Sequence, residues 1–223
     1  MAIEFGVDDE VAKLAVRVRE FIDTVVIPHE ADTAGQHGIP DDLRASLQRA
    51  AREAGLLAPH MPAELGGLGL DTRGQAVIFE QAGRSPLGPA ALNCSAPDEG
   101  NMLLLDRVAT AEQRERYLRP LAAGQTRSCF AMTEPAPGAG ADPASLLTSA
   151  VKTAGGWSIS GRKHFITGAA GAAFAIVMAR TGEDAATMFL VDTDNPGMSV
   201  TRVIRTIDTT FSGGHAVVEF DDC

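Results

Sequence analysis

The sequence predicts an α+β chain: an all-helical N-terminal domain over residues 1–125, then a small antiparallel β-barrel domain over residues 126–223. Three observations carry that reading. Before Gly124, apolar residues recur at three- and four-residue steps, the period of a helix with one buried face. From Arg127 onward, β-branched and aromatic residues alternate with polar ones, the period of a strand. Turn signals then come often, at Ala154-Gly-Gly156, Gly182-Glu-Asp184 and Asp194-Asn-Pro-Gly197, and short strands so spaced suit a closed or nearly closed sheet.

The elements follow in order. Val11, Leu14, Ala15, Val18, Ile22, Val25 and Val26 form one stripe, Asp8 and Asp9 suit its positive N-terminal end, and Pro28 falls near its close. A second helix starts at Pro40-Asp41-Asp42, places Leu43, Leu47, Ala50 and Ala51 on one side, and stops at Gly55. The glycines of His60-Met-Pro-Ala-Glu-Leu-Gly-Gly-Leu-Gly-Leu70 mark a loop, after which Asp71 caps a third helix. Helical stretches are also expected from Pro89 to Asp106 and from Thr110 to Ala122, the latter opened by the capping-box pattern Thr110-Ala-Glu-Gln113. The expected strands are Ser128–Thr133, Leu147–Thr153, Trp157–Ser160, Lys163–Thr167, Phe174–Ala179, Ala186–Asp192, Ser199–Val203 and His215–Phe220.

Composition excludes several function classes. A net charge of −10 with no Lys/Arg stripe argues against nucleic-acid binding, which needs clustered cations. No apolar run approaches the roughly 20 residues that span a bilayer, and the start Met1-Ala-Ile-Glu-Phe-Gly lacks the features of a signal peptide. Three cysteines, Cys94, Cys129 and Cys223, suit neither a disulfide framework nor a metal site, so a cytoplasmic, reduced protein is expected. His29, His37 and His60 have no metal-ligand spacing, His164 and His215 read as structural, and Trp157 reads as core.

Two stretches carry the chemistry. As a strand, Cys129-Phe-Ala-Met-Thr133 sets Cys129, Ala131 and Thr133 on one side. That small face admits a flat ring beside the Thr133 hydroxyl, or simply packs against a neighbouring element. After Pro135, Gly138-Ala-Gly140-Ala-Asp142 is a small-residue loop able to present amides to a phosphate or carbonyl, or an ordinary turn. In Lys163-His-Phe-Ile-Thr-Gly168, Phe165 and Thr167 share a strand face, where the aromatic ring stacks on a ring system and the hydroxyl bonds its polar edge. The alternative is a core aromatic next to an exposed threonine.

The two stretches together resemble the flavin-contacting segments of the acyl-CoA dehydrogenase family. Arg127-Ser-Cys-Phe-Ala-Met-Thr-Glu-Pro135 looks like its middle-domain signature, and Gly161-Arg-Lys-His-Phe-Ile-Thr-Gly168 its second flavin segment. Pro62-Ala-Glu-Leu-Gly-Gly-Leu-Gly-Leu70 is similar to the Gly-Gly-x-Gly loop of its helical domain. Thr110-Ala-Glu-Gln113 with Tyr117-Leu-Arg-Pro120 is similar to the helix leading into its β-domain. Ala96-Pro-Asp-Glu-Gly-Asn-Met102 resembles the branch with the animal members numbered ten and eleven, and the likeness spans residues 8–222.

The resemblance implies FAD as cofactor, with Phe130, Ala131, Met132, Thr133, Phe165, Ile166 and Thr167 against its isoalloxazine and Thr167 near N5. It implies acyl-CoA as substrate, touched by Gly140 and Ala141. Ala141 stands where the family carries a serine, so contact there is through backbone, and Phe165 replaces the commoner tryptophan. It implies α,β-dehydrogenation with hydride transfer to N5, electrons passing to an electron-transferring flavoprotein. The catalytic base and most of the oligomer interface are expected in a helical domain past Cys223, so no residue here is assigned as base. The chain alone is expected to bind FAD poorly and to be inactive. It would form a homo-oligomer through that missing domain or a hetero-oligomer with a complete subunit. The alternatives are an oxidase or monooxygenase on the same fold, and a non-catalytic subunit.

Overall fold

In the computed structural model, residues 6–33, 38–207 and 210–223 are described, so His37 and the start Met1–Phe5 lie outside the described residues. The chain divides into two compact units, Met1–Gln125 and Thr126–Cys223. No helix among the described residues is long and apolar enough to cross a membrane.

In the first unit, α1 (Asp9–Phe21) starts where the Asp8 carboxylate accepts the Val11 amide at 2.9 Å. The stripe continues beyond it through a π-helical segment, Ile22–Val26, and a 3-10 segment, Ile27–Thr33. α2 (Asp41–Glu53) ends before Gly55, which takes φ 68°, and α3 (Thr72–Ala82) is capped by Asp71, whose carboxylate accepts the Gly74 amide at 2.8 Å. The stretch expected as one helix from Pro89 is two, α4 (Gly88–Ala91) and α5 (Asp98–Val108). The break follows from Asn93, a left-handed residue at φ 53° whose buried amide donates to the Leu121 and Ala122 carbonyls at 3.0 and 3.1 Å. Thr110 and Gln113 make the expected reciprocal capping box at the start of α6 (Ala111–Gln113), which runs through a π-helical turn, Arg114–Leu118, into α7 (Arg119–Ala122).

The glycines of the loop before α3 do two different jobs. Gly66 and Gly69 take φ 83° and 62°, with nothing within 4 Å of an added Cβ. At Gly67 a Cβ would lie 2.0 Å from the Met61 carbonyl oxygen and 2.5 Å from that of Ala58, so the close approach itself demands glycine.

The second unit holds β1 (Ser128–Ala131), β2 (Ser149–Thr153), β3 (Gly156–Thr167), β4 (Phe174–Arg180), β5 (Ala186–Asp192), β6 (Met198–Ile204) and β7 (His215–Phe220). The two strands expected at Trp157–Ser160 and Lys163–Thr167 are one. Gly161 between them is no turn; a Cβ there would meet Thr148 Oγ1 at 2.5 Å, so it is a point of close backbone packing. The sheet order is β1-β4-β2-β3-β7-β6, with β5 also on β4. The α+β class holds, but the sheet is open and mixed rather than a closed antiparallel barrel. β1 and β4 run parallel because the β2–β3 hairpin intervenes between them, and β1 and β6 end the path unpaired with each other. Its core includes Cys129, Ala131, Ile159, Ile166, Val177 and Phe220.

Gly67→Ala is expected to destabilise the helical unit by about 2 kcal/mol, the scale of overpacking, and Gly66→Ala by about 1 kcal/mol, through backbone strain alone. Thermal melts of the two variants test this: an equal or reversed order refutes the steric assignment.

Candidate functional site

The two chemistry-bearing stretches meet in the β-unit through a buried latch. β1 ends at Ala131, and the chain turns back so that the Glu134 amide donates to the Gly140 carbonyl at 3.0 Å. Glu134 is 5% exposed and Lys163, on β3, is 0% exposed. The Lys163 ammonium donates to Glu134 Oε1 and to the Met132 carbonyl, both at 2.9 Å. Glu134 Oε2 accepts the Leu147 amide at 2.8 Å, and Oε1 the Thr148 amide at 2.9 Å. A Cβ at Gly138 would fall 2.5 Å from Glu134 Oε2, which explains a glycine in this loop.

Electrostatics follow from that shell. Burial opposes ionisation of Glu134, but the hydrogen bonds from Thr148, the Leu147 amide and Lys163 overturn it and bring the pKa down from 4.5 to about 2. Burial pushes the Lys163 ammonium down, with Glu134 opposing the shift.

Beside the latch, the His164 amide donates to the Thr133 carbonyl at 2.8 Å, so the two stretches lie side by side. The next residue departs from strand geometry. Lys163 pairs with Val218 and Ile166 with Ala216, three steps on β3 against two on β7, which is a β-bulge. Phe165 takes the extra place at φ 58° and is 52% exposed, its ring 4.3 Å from that of His164. Thr167 is half-buried, and its Oγ1 lies 2.9 Å from Nδ1 of His215 on β7.

These placements revise several expectations. Thr133 lies beyond the end of β1, and the small face of that strand is closed: Cys129 and Ala131 are 0% exposed in the core, so Ala131 can offer a ligand only backbone. Ile166 is 1% exposed and is likewise a core side chain. Phe165 and Thr167 do not owe their outward faces to simple alternation, because the bulge interrupts it. Trp157 is 42% exposed, edge-on to Phe189 at 5.5 Å, rather than in the core. Phe130, Met132 and Thr133 are half-buried, Gly140 takes φ 54°, and Ala141 is exposed. His215 was read as structural; its only local sign in the sequence is Gly213-Gly214 just before it. No group of three metal-ligating side chains occurs among the described residues.

Removing one member of the latch strands the other charge. Glu134→Gln and Lys163→Met are each expected to cost about 3 kcal/mol or more, the double variant less than the sum. Urea unfolding of all three decides the point, since additive losses contradict the latch. Because the Glu134 pKa is lowered, its stabilisation is complete above about 4.5 and is lost as pH falls toward about 2. Acid unfolding should therefore show this loss in the native chain and not in Glu134→Gln.

Comparison with known proteins places this arrangement among relatives. The profile of the acyl-CoA dehydrogenase N-terminal domain matches residues 8–125, and that of the acyl-CoA dehydrogenase middle domain matches residues 129–223. The chain is 33% identical to Probable acyl-CoA dehydrogenase FadE2 of Mycobacterium tuberculosis, over 98% of this chain and 56% of that protein. It is 33% identical to acyl-CoA dehydrogenase family member 10 of Mus musculus, over 97% of this chain and 22% of that one. A Mycobacterium abscessus structure assigned to the acyl-CoA dehydrogenases superposes with TM-score 0.88 at 36% identity, covering 97% of this chain and 58% of that one. A Mycobacterium smegmatis glutaryl-CoA dehydrogenase, solved with FADH2, gives TM-score 0.78 at 26% identity, covering 97% and 53%. The chain thus spans a little over half the length of FadE2, at 56%.

Proposed function

Because the chain belongs to the acyl-CoA dehydrogenase family, we propose that its β-unit holds the isoalloxazine of FAD for α,β-dehydrogenation of an acyl-CoA thioester. The observation that carries this is the 2.8 Å hydrogen bond from the His164 amide to the Thr133 carbonyl, which sets the two family motifs next to each other. The residues fit a flat, polar-edged ring. Phe165 offers an exposed aromatic face, held outward by a backbone conformation that a bulky residue rarely adopts. Thr133 and Thr167, both half-buried, add hydroxyls, and Met132 adds backbone.

FAD, when bound, supplies the hydride acceptor. This chain's residues orient and shield. Phe165 would stack on the ring, the Thr167 hydroxyl would bond near N5, and Phe130, Ala131, Met132, Thr133 and Ile166 would border it, Ala131 and Ile166 through backbone. The loop at Gly140 and Ala141 meets the thioester through backbone. Glu134 does not serve as the base that takes the α-proton: a buried carboxylate with a pKa of about 2 and its oxygens already accepting four hydrogen bonds is a poor proton acceptor. That base, homo-oligomer assembly and electron delivery to an electron-transferring flavoprotein belong to the rest of the proposal. Cys94, Cys129 and Cys223 form no disulfide among the described residues, which accords with a reducing, cytoplasmic setting.

FAD titration of the 223-residue chain, followed by flavin fluorescence, tests the reading. Binding is expected to be weak, and Phe165→Ala and Thr167→Ala are each expected to weaken it further by roughly tenfold, the equivalent of about 1.4 kcal/mol. Variants that bind FAD as the parent does would remove these residues from the site.

A further inference from the structure

Thr167 and His215 form a cross-strand pair of β3 and β7, with Oγ1 and Nδ1 2.9 Å apart. The backbone that carries the imidazole is fixed, and one ring packs against the imidazole itself. Gly213 and Gly214 take φ 78° and 60°, and a Cβ at Gly213 would lie 2.1 Å from the Ala170 carbonyl oxygen, so the turn entering β7 is sterically set. The Gly168 amide donates to the Gly214 carbonyl at 2.8 Å, tying the end of β3 to that turn. Phe211 then packs edge-on against the imidazole at 5.5 Å. This is a well-supported side chain for which the proposed chemistry has so far given no use.

A threonine hydroxyl has one proton to donate and two lone pairs. If Nδ1 carries no hydrogen, Thr167 spends its proton on His215. If Nδ1 carries one, the hydroxyl accepts from the imidazole and keeps its own proton for another partner. N5 of an oxidised flavin is an acceptor, so only the second arrangement serves it. We infer, resting on the flavin reading above, that His215 is the positioning residue of the Thr167 hydroxyl, donating its Nδ1–H to that oxygen and aiming the hydroxyl proton at a ring acceptor lying against Thr167. Which ring nitrogen bears the hydrogen is governed by the hydrogen bond it makes, so Thr167 and His215 fix each other.

The tautomer is read without flavin, by nitrogen NMR of the 223-residue chain. His215 is expected to carry hydrogen on Nδ1, and Thr167→Val, which removes the acceptor, to move it toward Nε2. A bare Nδ1 in the parent chain overturns the inference whatever becomes of the flavin reading. FAD titration supplies the second arm. His215→Leu is expected to weaken binding about as much as Thr167→Ala, roughly tenfold, and the double variant no further. His215→Asn, which keeps an amide donor near the Nδ1 position, is expected to recover most of the loss. Additive losses, or an Asn variant no better than Leu, overturn the inference. If the parent chain takes up no FAD, the flavin reading falls, and the tautomer and its response to Thr167→Val alone decide this one; that arm stands even where His215→Leu does not fold.

Discussion

Lys163 and Glu134 face each other at 2.9 Å with side-chain exposures of 0% and 2%, and the site is shaped around them. Burying two charges costs several kcal/mol each, and an apolar pair of the same volume often packs as stably. What an apolar pair could not supply is direction. The ammonium reaches both the Met132 carbonyl and Glu134, while Glu134 gathers amides from the far side of the loop at Leu147 and Thr148. One cation and one anion thereby fix the path of the backbone from Met132 to Thr148, including the turn that carries Gly140.

The same lysine accounts for the bulge. On a regular strand, residues three apart point to opposite faces, yet Lys163 must point inward to its carboxylate and Ile166 is 1% exposed in the core. One extra residue restores the parity, and it is inserted between them. The consequence is that His164 and Phe165 both turn outward, Phe165 at φ 58°. Such a conformation costs about 1–3 kcal/mol and persists only where its surroundings over-determine it. Here they do: the latch on one side, the β7 register on the other. The exposed aromatic is thus a by-product of two inward side chains competing for one face.

How much of this was legible in the sequence follows from the range of each interaction. Asp8, Asp71 and the Thr110–Gln113 box act within three residues, so the helix starts read directly. The split after α4 did not, because Asn93 earns its left-handed backbone from carbonyls 28 and 29 residues away. Alternation located the strands but not their partners, so the parallel β1–β4 pair was invisible. Motif resemblance brought the two stretches together; alternation grouped Phe165 with Thr167 opposite Ile166 but gave no sign of the bulge, since nothing local announces one set by a carboxylate 29 residues upstream. His215 read only as structural for the same reason, its partner Thr167 lying 48 residues back.

The hydrogen bonds of the latch and of the Thr167–His215 pair join residues between Met132 and His215, within one compact unit. The chain covers 56% of FadE2, so the whole protein's catalytic apparatus and the surface proposed here to face a ring are separate matters. The second depends on the latch, the bulge and the β3–β7 register, all internal to the β-unit. Changes at Glu134 or Lys163 would therefore act on any bound ring through the backbone of Met132 and Thr133, without touching a reacting atom. Changes at Thr167 or His215 would alter the direction of a single hydroxyl proton while leaving that backbone in place. The two pairs divide the work between shape and polarity, and a site so divided can lose one without the other.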